Sequence, residues 1–126
     1  DTYDIRCQSI DQTAGTLSGG NQQKLVLARA LARNPRLIIA VQPTRGLDIG
    51  ATEYVHAALI DQCRRGCALL LISTELDEIL ALSNRVSVIY NGKVTRPLDR
   101  AVVTRDQLGL LMGGRAAEAA SPGDKP

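Results

Sequence analysis

Tryptophan and phenylalanine are missing from this 126-residue chain, and three tyrosines are its only aromatic side chains. Its core must therefore be aliphatic, and a surface of rings for stacking single-stranded bases is excluded. Histidine occurs once, at position 56, with no partner at ligand spacing, which points to a packing or surface role. Three cysteines cannot close a disulfide framework, and no histidine stands beside them at zinc spacing. Cys63 and Cys67 flank a turn while Cys7 lies far off, so all three read as reduced structural thiols in a reducing compartment. Neither sign of charge dominates: 15 Lys and Arg face 13 Asp and Glu, a net +2 that calls for no nucleic acid or acidic lipid. No apolar run approaches the ~20 residues of a bilayer helix, and the N-terminus shows no secretory leader. Work at a membrane would need another subunit to do the spanning.

What is present is an α/β pattern. Apolar residues make up 44% of the chain, enough for one modest core. Residues 1–16 are mixed and weakly periodic; they read as a lead-in that starts in mid-structure, as in a piece of a longer chain. A helix follows Ser18-Gly19-Gly20 and runs from Asn21 to Arg33, with Leu25, Ala28, Leu31 and Ala32 on one face and Asn34-Pro35 as its stop. Leu37–Val41 and Ala68–Ile72 are short continuous apolar runs, the pattern of parallel strands buried on both faces. Between them a helix over Ala51–Arg65 is expected to end on Gly66. A third helix spans Glu75–Leu82, with Ser73 or Thr74 as N-cap. Its carboxylates Glu75, Asp77 and Glu78 suit the positive end of a helix dipole. A third strand over Arg85–Tyr90 turns back at Asn91-Gly92 through Lys93–Thr95, and a short helix follows Thr104. Residues 1–112 form the domain, and 113–126 a flexible tail.

One stretch carries chemistry. Leu17-Ser18-Gly19-Gly20-Asn21, leading into Gln22-Gln23-Lys24, sets two glycines and a hydroxyl at a helix start. Glycine admits close backbone approach, and the first-turn N–H groups with the helix dipole favour an anion such as a γ-phosphate. A capped helix with a glycine turn would look the same. The sequel separates the two: Asn34-Pro35-Arg36-Leu37-Ile38-Ile39-Ala40, then Pro43-Thr44-Arg45-Gly46-Leu47-Asp48, then Ile72-Ser73-Thr74-Glu75-Leu76 and Arg85–Lys93. In order and spacing the chain up to Gly113 resembles the nucleotide-binding domain of ABC ATPases, from signature motif through D-loop and switch to closing hairpin.

The resemblance implies a partial P-loop NTPase (RecA-like) ABC domain of the α/β class. Its sheet would be mostly parallel with flanking helices, and the Walker A strand, with its Gly-Lys-Ser/Thr loop, does not occur in the sequence. Ser18, Gly19, Gly20 and Asn21 would bind the γ-phosphate of ATP held by another domain, and Asp48 would take the D-loop place while capping the helix behind it. Three positions depart from the pattern. Val41 and Gln42 replace the Walker B Asp and catalytic Glu, and Thr74 replaces the switch His. Valine cannot order a Mg²⁺ shell, and glutamine can hold a water but not take its proton. The fragment alone would therefore hydrolyse nothing and hold neither ATP nor Mg²⁺ tightly.

Asn21 with Gln22-Gln23-Lys24, Pro43–Asp48 and Ser73-Thr74-Glu75-Leu76 resemble tandem ATPases of sugar and nucleoside importers. The changed acid pair and Thr104–Gly113 resemble their second, degenerate ABC domain. That implies an N-terminal ABC domain of the same chain as partner, transmembrane permease subunits, a solute-binding protein acting indirectly, and a cytoplasmic place at the inner face of the cell membrane. A soluble ABC ATPase of DNA repair or translation would need its own Asp-Glu pair. A non-catalytic scaffold half would not need Ser18. Without the Walker A strand the sheet has open edges, so either the strands at 68–72 and 85–90 collapse together or the fragment self-associates.

Overall fold

The computed structural model describes residues 3–115, which divide into two compact units between Ser73 and Thr74. In the first, a 3-10 turn (Ala14–Thr16) leads into α1 (Gly19–Leu31), β1 (Leu37–Val41), α2 (Ile49–Arg64) and β2 (Ala68–Ile72). β1 and β2 pair in parallel, Leu37 opposite Ala68 through Val41 opposite Ile72. Bonds from Ala68 N–H to Arg36 O and from Gln42 N–H to Ile72 O extend the ladder at both ends. A helix between parallel strands is the βαβ crossover the alternation implied.

α1 starts two residues earlier than its periodicity suggested, so both glycines lie inside its first turn. Its buried stripe is Ala28 and Leu31; Ala32 is exposed and Leu25 about one-third so. Asn34 ends it with φ 47°, a left-handed residue before Pro35. α2 ends as expected on Gly66 (φ 93°), where Gly66 N–H bonds Cys63 O and Cys67 N–H bonds Gln62 O. Those two bonds make a Schellman cap, which needs a left-handed residue at that place. Ala51, Val55 and Leu59 form the buried face of α2.

The second unit holds α3 (Leu76–Leu82), β3 (Arg85–Val86), β4 (Ile89–Tyr90), β5 (Lys93–Val94), β6 (Leu98–Asp99) and α4 (Arg105–Met112). Val86, Val88, Val103 and Leu108 are its core, an all-aliphatic one. The Asn91-Gly92 turn joins β4 to β5 with both residues at positive φ, the type I′ geometry that follows strand twist. A reciprocal Thr104–Gln107 capping box starts α4.

Several expectations need correcting here. The strand expected over 85–90 is broken: Val88 bonds Thr95 through N–H to Oγ1 and through its carbonyl, which splits β3 from β4. β3 pairs instead with β6, antiparallel, so only the β1–β2 ladder is parallel. The pairing expected between the strands at 68–72 and 85–90 is absent among the described residues: β2 pairs with β1, and β3 with β6. The N-cap position of α3 is Glu75, whose side chain makes no cap bond, and not Ser73 or Thr74. Glu78 is buried, while Asp77 forms an ion pair with Arg105. Gly113–Arg115 continue α4 into a second Schellman cap, with Arg115 N–H on Leu110 O; the rest of the expected tail lies outside the described residues.

The largest correction concerns β1 and β2, expected to be buried on both faces. One face is bare: Ile39 and Val41 are 60% and 61% exposed, with Leu37, Leu70 and Ile72 beside them. Side chains alternate across a strand, so these five share a side. Helices cover only the other side, where Ala40 is buried. A contiguous apolar patch of this kind favours association.

The 126-residue chain is therefore expected to self-associate. Light scattering should return a mass above 13.5 kDa, and Ile39→Lys should lower it; a compact monomer from the unaltered chain would contradict this. At the α2 cap, Gly66→Ala should cost about 1 kcal/mol in thermal unfolding, because the left-handed φ disfavours any Cβ.

Candidate functional site

The N-terminal tips of α1 and α2 meet. A Cβ on Gly20 would lie 3.3 Å from the Cβ of Ala51, so glycine at 20 is what permits the approach. Gly19 is different: a Cβ there would meet nothing within 4 Å. Among the described residues no packing demands glycine at 19, and the backbone there is open to an incoming group.

Ser18 is the N-cap of α1. Its Oγ accepts from the Asn21 side-chain Nδ2 at 3.1 Å and, more weakly, from the Asn21 backbone N–H at 3.4 Å. With its acceptor side occupied, the hydroxyl proton remains to be donated outward. Asn21 does more than its motif position implied, because its Oδ1 also accepts from the backbone N–H of Arg6 at 3.0 Å. It thereby ties the lead-in segment to the tip.

The next three side chains repeat that habit. Gln22 Nε2 donates to the carbonyls of Leu17 (2.9 Å) and Gly15 (3.3 Å), and Gln23 Nε2 donates to Pro43 O at 2.7 Å. Lys24 Nζ donates to Asp4 Oδ2 at 2.7 Å and lies 4.6 Å from the centre of the Tyr54 ring. That ammonium, by hydrogen bond and charge, holds the Asp4 carboxyl below its ordinary range. Burial raises the Tyr54 phenol, whose hydroxyl donates to Tyr3 O at 2.7 Å. Sequence reasoning gave Gln22, Gln23 and Lys24 no role beyond the motif. The signal available was three long polar side chains in the first two turns of a helix, each able to reach a loop carbonyl or carboxylate.

Asp48 caps α2 by accepting from Ala51 N–H at 2.8 Å. The structure thus gathers Ser18, Gly19, Gly20, Asn21 and the start of α2 at one edge. Val41 and Gln42 lie at the end of β1. Val41 stands on the bare apolar face, and Gln42 adopts φ 48° while its N–H bonds Ile72 O. Val41 offers no oxygen and Gln42 only a neutral amide oxygen, so the pair supplies none of the carboxylate charge of a Mg²⁺ site. Thr74 opens the other unit and is exposed. His56 is half-buried in α2 and, against its apparent isolation, takes part in a polar contact. Among the described residues no helix is long and apolar enough to cross a membrane.

Comparison with known proteins accords with this geometry. A family model described as ABC transporter matches residues 1–45. The guanosine import ATP-binding protein NupO of Bacillus subtilis is 48% identical over 118 residues, 94% of this chain and 23% of that protein. The glucose import ATP-binding protein TsgD13 of Haloferax volcanii is 46% identical over 125 residues, 98% of this chain and again 23% of that protein. The chain thus spans under a quarter of these relatives. Among solved structures, the dimeric post-hydrolysis state of the ATP-binding cassette MJ0796, bound to ADP and Pi, superposes with a TM-score of 0.68 at 27% identity, over 78% of this chain and 42% of that one. A short parallel sheet with a glycine-tipped helix beside it, in that company, defines the class: this is a fragment of an ABC transporter ATP-binding domain. More particularly, it is related to the ATPases of nucleoside and sugar importers.

The two glycines should respond differently to alanine. Gly20→Ala should lower the melting temperature by crowding Ala51, whereas Gly19→Ala should leave it unchanged or raised, helix interiors favouring Ala over Gly by up to about 1 kcal/mol. Equal destabilisation by both would mean that Gly19 is also held by packing.

Proposed function

We propose that this chain belongs to the second, degenerate ABC domain of a tandem importer ATPase for simple sugars or nucleosides, and that it completes the ATP site of the other ABC domain. Ser18, Gly19 and Gly20 cover the γ-phosphate of ATP held by that partner. Gly19 leaves room for the phosphate to approach the backbone, and the Ser18 hydroxyl and first-turn N–H groups donate to charge that grows in the transition state. Asn21 orients Ser18 and retains one amide proton for the same ligand. Asp48, at the neighbouring tip, lies on the D-loop between the domains.

The observation that carries this reading is the open space over Gly19 beside a serine whose acceptor side is already filled. The chain's own half-site does not hydrolyse, since Val41, Gln42 and Thr74 supply neither carboxylate nor imidazole. ATP and Mg²⁺ bind in the assembly through the partner. Permease subunits provide the membrane passage, a solute-binding protein delivers the solute, and the ATPase works at the cytoplasmic face.

Ser18→Arg in the assembled ATPase should reduce turnover at the partner site by at least about 100-fold, the scale of losing an oxyanion donor. Gln42→Glu should leave turnover unchanged. Full activity in the Ser18 variant would favour a scaffold.

A further inference from the structure

The turn between β1 and α2 is fastened at both ends to α1. At its far end Asp48 caps α2, whose first turn packs against Gly20 through Ala51. At its near end the half-buried Gln23 side chain donates to the carbonyl of buried Pro43, 2.7 Å away and 20 residues along the chain. Inside the turn Arg45 N–H bonds Gln42 O at 3.2 Å and Leu47 N–H bonds Thr44 O at 3.1 Å. The turn carries two left-handed residues, Gln42 (φ 48°) and Gly46 (φ 75°), so its internal bonds work against backbone preference at Gln42.

We propose that Gln23 is a positioning residue that locks the Gln42–Asp48 turn to α1, so that Ser18 and Asp48 meet a partner's nucleotide as one rigid edge. Gln23 itself touches no nucleotide; it works through Pro43. A shift of Gln42 at the chain's own half-site is thereby passed to the signature tip, because the same side chain spans both. The catalytic consequence rests on the function proposed above, while the mechanical coupling does not.

The test takes Gln23→Met, which keeps volume and removes the donor, and Gln23→Lys, which restores one. Hydrogen exchange on the 126-residue chain without nucleotide should quicken about fivefold at the Arg45 and Leu47 amides in the Met variant, the weight of one net hydrogen bond. Exchange in β1 and β2 should stay as in the unaltered chain, and the Lys variant should recover most of the protection. In the assembled ATPase the Met variant should lower kcat about fivefold with KM for ATP within about twofold, since a transition-state contact loses alignment while ground-state binding persists. Unchanged exchange at Arg45 and Leu47 overturns the coupling, as does equal quickening throughout β1 and β2, which marks general destabilisation. Unchanged kcat overturns the catalytic consequence. Because exchange is followed without ATP, it tests the coupling whether or not Ser18 proves necessary for turnover.

Discussion

The tips of α1 and α2 meet closely at one edge because Gly20 puts no side chain there, where a Cβ would come within 3.3 Å of the Ala51 Cβ. That contact brings the Ser18 cap of α1 beside the Asp48 cap of α2. Both caps expose unpaired first-turn N–H groups and the positive ends of two helix dipoles at a single place. Each cap uses its own side chain to satisfy part of that demand, and the remainder is available to an anion. The edge depends on a distance of a few tenths of an ångström, a tolerance that close packing makes unforgiving.

Around this contact the polar residues of α1's first two turns act as fasteners. Asn21 reaches the lead-in segment at Arg6, Gln22 the carbonyls before Ser18, Gln23 the turn after β1, and Lys24 the carboxylate of Asp4. None of these bonds is strong alone, and an ion pair with one exposed partner, such as Lys24–Asp4, contributes modestly. Together they fix the approach of the chain on either side of the tip. A well-held donor edge thus stands beside a strand end that carries Val41 and Gln42 and no carboxylate.

The aliphatic composition explains the rest of the architecture. Without large rings, each core is filled by Val, Leu and Ala, and the first unit has too few elements to cover both sides of its two strands. Leu37, Ile39, Val41, Leu70 and Ile72 therefore face water. Apolar surface left in water forfeits roughly 25 cal/mol per Å² of the stabilisation that burial gives. The same residues read in sequence as fully buried, because an apolar run reports what a strand is suited to and not what covers it.

Local chemistry was legible from the residues alone. Gly66 and Asn91-Gly92 required left-handed backbone, Ser18-Gly19-Gly20 and Thr104 marked helix starts, and the runs 37–41 and 68–72 gave parallel strands in a crossover. Each is set by neighbours a few positions away, within reach of dihedral preference and period. Tertiary structure alone decided the split of 85–90 by Thr95, the pairing of β3 with β6, the bare face of the sheet and the burial of Glu78. It also decided which glycine serves packing and which leaves room, and it gave Gln23 its carbonyl. Those outcomes turn on atoms brought together by folding, from seven residues apart at Val88 and Thr95 to twenty at Gln23 and Pro43, where sequence spacing carries no distance.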